Sequence, residues 1–237
     1  DKVIVCQNGV FGGRMKENVE RCGATPIMVI DRWGDPVDPE KLEAAIQAHP
    51  DAKVVAFVHA ETSTGVRSDA QTLCHLAKSA GMLVIMDAVT SLAGIDLRAD
   101  EWGADVVYSG TQKCLSGLPG ISPITFSNDA VGAIKARKHK VQSWFLDMNL
   151  IMGYWGEGAK RSYHHTAPVN AVYALHEALL MLEEEGLEAS FARHKANHLS
   201  LANGLSHLGL ELAVAEAWRL PQLNSVLIPE GVDDAEV

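Results

Sequence analysis

The chain has 237 residues, 47% hydrophobic and 21% charged, which is enough apolar material for one large globular domain or somewhat more. Its formal net charge of −10 argues against nucleic acid and anionic membrane as partners, although a local basic pocket remains compatible with it. No apolar run approaches the roughly 20 residues that cross a bilayer, and no secretory leader is visible, because the opening Asp1-Lys2-Val3-Ile4-Val5 reads as a core strand.

In chain order, residues 3–6 predict a short strand and 9–13 a glycine-rich turn. A helix is expected over 14–22, ended by Gly23, and a strand over 25–30. Residues 39–48 predict a helix with Pro39 in its first turn, where a missing N–H costs nothing. Residues 53–59 read as a buried strand. The helix expected over 69–80 has Gly81 just beyond its end. Strands follow at 82–87, 106–109 and 121–126. Beyond Phe126 the pattern becomes helical: 169–185 is a long helix closed by Gly186, and 187–208 a second one, followed by Gly209 and a strand candidate at 210–214. The alternation predicts an α/β fold with a mostly parallel sheet sandwiched by helices. The strands are continuously apolar, as expected when both faces are covered. A domain boundary is expected near Gly186, dividing 1–186 from the beginning of a smaller α+β domain at 187–237. The chain opens in mid-strand and closes on a segment resembling a helix start, so it reads as an internal part of a longer protein.

Cys6, Cys22, Cys74 and Cys114 form no Cys-x-x-Cys pair and read as reduced thiols of a cytoplasmic protein. The chemistry-bearing residues fall just after buried strands. Asp87 closes the run 82–87, and Lys113 follows it by 26 residues, room for one crossover between neighbouring parallel strands. The carboxyl edge of a parallel sheet is where α/β proteins bind ligands. Asp87 could cap a following helix or stabilise a cationic ring nitrogen, and Lys113 could be a surface lysine or an amine that forms a Schiff base. Glu61-Thr62-Ser63-Thr64-Gly65 is either an ordinary turn or a set of hydroxyls and amides holding polar ring substituents. The glycines at 9, 12 and 13 lack dinucleotide-site spacing, and Phe11 among them is either core or a ring face for a planar cofactor. His164 and His165 should diverge in an extended segment, and with no Cys, Asp or Glu completing a site no metal is expected. The Tyr163 and Thr166 hydroxyls could instead bind phosphate oxygens. Glu183-Glu184-Glu185 and Asp233-Asp234 read as solvated charge.

Six segments in order, NGVFGGR (8–14), HAETSTGV (59–66), VIMDAVTSLAGIDL (84–97), DVVYSGTQK (105–113), YHHTAP (163–168) and EEGLEASFARH (184–194), resemble the class V group of fold-type I pyridoxal-phosphate aminotransferases. The resemblance is strongest to its alanine–glyoxylate and serine–pyruvate branch. It implies Lys113 as the Schiff-base lysine and proton carrier, Asp87 as partner of the pyridine nitrogen, and Thr62 on the ring's phenolic side. Phe11 would stack on the ring, where relatives often carry Trp, with Val89 on the opposite face and Gln112 at the phosphate. Tyr163 and Thr166 would reach the cofactor of the neighbouring subunit, so a homodimer with shared sites is implied, acting on a small amino acid and a small 2-oxo acid. The family's phosphate loop would precede Asp1, and its substrate-binding arginine would follow Val237. Cysteine desulfurase or phosphonate transaminase chemistry on the same fold, or a non-catalytic fragment, are the competing readings.

Overall fold

Strong local signals fix most of the elements. In a computed structural model that describes residues 1–155, 162–233 and 235, β1 (Lys2–Gln7) leads into helix α1 (Val10–Arg21) and then β2 (Thr25–Ile30). Helix α2 (Pro39–Ala48) starts where Asp38 accepts the Glu40 N–H at 2.9 Å, with Pro39 in the first turn. Strand β3 (Val54–Val58) is followed by a small antiparallel ladder, β4 (Ala60–Glu61) with β5 (Val66–Arg67). Asp69 caps α3 (Ala70–Ser79) through the Thr72 N–H, and Gly81 beyond its end takes a left-handed φ of 74°. Strand β6 (Leu83–Asp87), short helix α4 (Ala99–Trp102), β7 (Val106–Tyr108) and β8 (Ile124–Phe126) complete the sheet region. Helices α5 (Asn128–Lys135), α6 (Met148–Trp155), α7 (Val169–Glu185) and α8 (Leu187–His207) follow, with a 3₁₀ turn at Glu216–Trp218.

The main sheet has the order β2-β1-β3-β6-β7-β8. All its pairings are parallel except β7 with β8. Alternate residues divide two apolar layers, as a pleated strand requires. Ile4, Cys6, Val55, Phe57, Val84 and Met86 face a core built with α2 and α3 (Leu42, Ile46, Leu73, Ala77). Val5, Ala56 and Val58 face the opposite side, where Met15 of α1 covers them. From β1 the chain first goes out to β2 and then returns to β3 on β1's other side. That reversal opens a crevice beyond the carboxyl ends of β1 and β3.

Several expectations need correction. Residues 9–13 are not a turn, because α1 begins at Val10. A Cβ on Gly12 would stand 2.7 Å from Gln7 Cα and 2.8 Å from the Cys6 carbonyl oxygen, so that glycine lets the helix lie close on β1. The segment 121–126 contracts to an antiparallel edge strand. Residues 210–214 contribute only an isolated bridge, Leu212 with Val226, among the described residues. Helices α5 and α6 were not expected. All four cysteines are free. Among the described residues no helix is long and apolar enough to cross a membrane.

Candidate active site

The parallel strands bring four loops to one edge. Asn8 to Phe11 follow β1, His59 to Gly65 follow β3, Ala88 to Thr90 follow β6, and Ser109 to Lys113 follow β7. Asp87 lies opposite Val58 on one side and Tyr108 on the other in the sheet register. It is 5% exposed. No helix follows it directly, so it is not a helix cap. One carboxylate oxygen accepts the Val89 N–H at 2.8 Å and the other the Tyr108 hydroxyl at 2.8 Å. Burial pushes the Asp87 carboxyl above its usual range, and the nearby Glu61 charge adds to that, while the two hydrogen bonds oppose it. Burial, reinforced by the Asp87 charge, also pushes the Tyr108 phenol far up, so Tyr108 stays a neutral donor. A buried carboxylate held in this way is stabilised in its ionised form by any cation brought against it.

Lys113 is exposed and opens onto a cavity of about 300 Å³ shared with Thr90, Cys114, Arg193, His194 and Gln222. Thr62 and Thr90 bond through their hydroxyls at 2.5 Å, and Thr90 donates onward to the Ala60 carbonyl at 3.1 Å, which leaves Thr62 as the donor between them. Gln222 donates to the Thr90 carbonyl at 2.9 Å. Gln112 is exposed, with its amide oxygen folded against Gly110, where a Cβ would stand 2.8 Å away. Val89 is half-buried beside Asp87. Phe11 is half-buried against the layer of Val5, Ala56 and Val58, and the Arg14 guanidinium lies 4.8 Å from its ring centroid. The Cys114 thiol is pushed up by burial, against the opposing charges of Lys113 and Arg193, and points to the Thr90 carbonyl at 3.7 Å. A thiol in that state is a poor nucleophile.

Tyr163 and Thr166 do not line the Lys113 cavity; both are exposed and bonded to each other at 2.8 Å. The adjacent histidines do not diverge as expected. Their Nδ1 atoms are 2.8 Å apart, and His164 stacks on Trp144 with ring centroids 4.2 Å apart. Glu183 and Glu184 are solvated, but Glu185 is not free, because it pairs with Arg193. Asp233 is exposed, and Asp234 lies outside the described residues.

Sequence reasoning passed over Tyr108, Thr90, Arg193 and Gln222. Tyr108 could have been found from register, since its strand must pair with the one ending at Asp87. Arg193 and Gln222 sit far along the chain and carry no local signal. Glu61 was noted only as part of a turn, yet it is wholly buried.

The protein-family model described as Aminotransferase class-V matches residues 12–236. The alanine–glyoxylate aminotransferase of Oryctolagus cuniculus is 39% identical over 234 residues, which are 97% of this chain and 59% of that protein. The (S)-ureidoglycine–glyoxylate transaminase of Bacillus subtilis (strain 168) is 34% identical over 255 residues, covering 100% of this chain and 61% of its own. The crystal structure of the alanine–glyoxylate aminotransferase of Nostoc sp. superposes with a TM-score of 0.96 at 42% identity, over all of this chain and 62% of that one. The chain thus spans about three-fifths of the length of these relatives.

Proposed function

On the premise that the chain belongs to the class V aminotransferases, we propose that it forms the cofactor-holding part of an enzyme that transfers an amino group from a small amino acid, alanine or serine, to glyoxylate or pyruvate. The supporting observation is the strand-end arrangement of Asp87 and Lys113: a buried carboxylate with no cationic partner among the described residues, and a lysine exposed on the loop after the neighbouring strand. The residues fit pyridoxal phosphate. Asp87, with both oxygens already fixed by Val89 and Tyr108, is suited to meet a protonated ring nitrogen, which would compensate the cost of its burial.

When bound, that cofactor supplies a conjugated ring that accepts the electron pair left on the amino acid's α-carbon. Lys113 is the amine that would hold the cofactor's aldehyde carbon and afterwards move a proton between the α-carbon and that position, as base and then acid. Thr62 would present its hydroxyl oxygen as an acceptor to the phenolic side of the ring, its own proton being directed to Thr90. Phe11 and Val89 would bracket the ring faces, and Gln112 would reach the phosphate. Tyr163 and Thr166 would serve the site of a second subunit in a homodimer. Residues 1–186 would form the large domain and 187–237 the start of the smaller one, with Gly186 (φ 83°) as the break between α7 and α8. The free thiols fit a cytoplasmic setting. Glyoxylate is the acceptor named in both relatives. The half-buried Cys114 thiol, pushed up by burial, argues against desulfurase chemistry, which needs a nucleophilic thiol.

The test is a visible absorption spectrum of the full-length protein, followed by borohydride reduction and peptide mapping. A yellow chromophore fixed to the Lys113 peptide is expected, and Lys113→Ala should abolish transamination. Turnover by that variant at the wild-type rate would sink the assignment. A donor screen with alanine, serine and ureidoglycine then ranks the substrates.

A further inference from the structure

Helix α1 lacks a cap of its own: Gly9 at its start has no side chain, and no side-chain hydrogen bond closes its first turn from within. The cap comes from another loop. The Val10 N–H donates to the Ser63 hydroxyl oxygen at 2.9 Å, and that hydroxyl donates to Glu61 Oε1 at 2.7 Å. The Ser63 N–H donates to the same oxygen at 3.1 Å. Glu61 is fully buried, and its other carboxylate oxygen has no partner among the described residues. A buried polar atom left bare is costly, and a chain that keeps one invites a functional explanation. The fit is tight from above as well. A Cβ on Gly9 would stand 2.4 Å from Glu61 Cδ and 2.6 Å from Ser63 Oγ. Gly9 has an extended φ of 179°, so glycine is required there by space and not by backbone conformation.

We propose that Glu61 is a positioning residue for the cofactor site: its carboxylate fixes the Ser63 hydroxyl, and Ser63 fixes the start of α1, so that Phe11 is presented to the crevice in one orientation. The inference rests on reading that crevice as a pyridoxal-phosphate site. An acceptor oxygen that takes both the Ser63 hydroxyl proton and the Ser63 N–H fixes that hydroxyl so that its lone pair faces the Val10 N–H. Phe11 is the residue next to the anchored amide, so slack in the relay becomes slack in the ring.

The test uses the full-length protein and three variants, Ser63→Ala, Glu61→Ala and Glu61→Gln. The first readout needs no cofactor: hydrogen exchange of the Val10 amide in the apoprotein should quicken about 10-fold in Ser63→Ala and Glu61→Ala, the scale of one lost hydrogen bond. Glu61→Gln, which keeps an acceptor oxygen, should exchange like wild type. The second readout is the dissociation constant for pyridoxal phosphate, together with the visible circular dichroism that a rigidly held ring produces. The constant should rise about 10-fold and the dichroic band weaken in the two alanine variants, on the same hydrogen-bond scale, with Glu61→Gln rescued. Ser63→Ala carries the test if Glu61→Ala fails to fold. Faster exchange with unchanged affinity and dichroism would show a relay that does not serve the cofactor, and the inference falls. Glu61→Gln as impaired as Glu61→Ala would make charge the cause, which also overturns it. A wild-type protein that shows the protected Val10 amide but binds no pyridoxal phosphate would overturn the functional reading, and the cofactor role of Glu61 with it.

Discussion

At Asp87 the demands of folding and of the proposed chemistry oppose each other. Burial raises its folded-state carboxyl above the ordinary 3.8, so the apoprotein loses stability as pH rises through that raised value and keeps it below 3.8. Asp87→Asn mimics the protonated form and retains an acceptor for the Val89 N–H. We therefore expect the Asn apoprotein to melt a few degrees higher than wild type at neutral pH, with the gain vanishing below pH 4. The same variant should lose affinity for pyridoxal phosphate, because nothing anionic remains to meet the ring nitrogen. Thermal scans of apoprotein across pH check the first part; an Asn variant no more stable than wild type at pH 7 would contradict it. His59 illustrates the opposite case: burial, reinforced by the nearby Arg67 charge, lowers its imidazole to about 4, so it is neutral at pH 7.

At the scale of elements, one carboxylate ties four segments together. Asp105, just before β7, accepts both available contacts from Lys78 of α3 at 3.0 Å, the Val84 N–H of β6 at 2.9 Å and the hydroxyl of Ser127, the α5 cap, at 2.7 Å. It is nearly fully buried. Asp105→Ala removes all of these and, among the described residues, leaves the half-buried Lys78 ammonium with only the exposed Asp129 at 3.4 Å. We expect a loss of about 3 kcal/mol, at the lower end for a broken buried pair. Asp105→Asn should lose less, since an amide oxygen still accepts from Val84. Urea titrations of both variants decide this, and equal losses would show that charge and not the backbone bond dominates. Helix α7 meets α8 through the Glu185–Arg193 pair, which places Arg193 at the Lys113 cavity.

For the whole molecule, the exposed aromatic and aliphatic residues of the C-terminal helices stand out. Tyr173, Met181 and Leu187 in α7 and α8 are more than half exposed, as are Trp144, Phe145 and Tyr163 before them. Apolar exposure on this scale is what a subunit interface covers. If the proposed homodimer shares its sites, mixed dimers of Lys113→Ala with a Tyr163→Ala, Thr166→Ala double variant should regain activity. One of their two sites would combine the intact lysine of one subunit with the intact hydroxyls of the other. Up to half of the wild-type activity per mixed dimer is then the expected ceiling. Mixtures no more active than the separate variants would remove Tyr163 and Thr166 from the partner's site.

The alternation of strand and helix, the parallel sheet and the placement of Asp87 and Lys113 at strand ends were legible in the sequence. The reason is local: Asp38, Pro39, Asp69 and Gly81 mark helix ends by their own hydrogen bonding and backbone geometry, and unbroken apolar runs mark strands covered on both faces. Other features were decided only by the tertiary structure. Gly9 and Gly12 read as turn residues until the fold set β1 and Glu61 against them. Tyr108 reaches Asp87 only through sheet register, and Arg193 reaches the Lys113 cavity only through the packing of α8. Glu61 owes its burial to the β4–β5 turn folding against the start of α1. A sequence marks what a residue does to its own neighbourhood, through propensity, capping and period. What meets across tens of residues depends on register and packing, which only the closed chain determines.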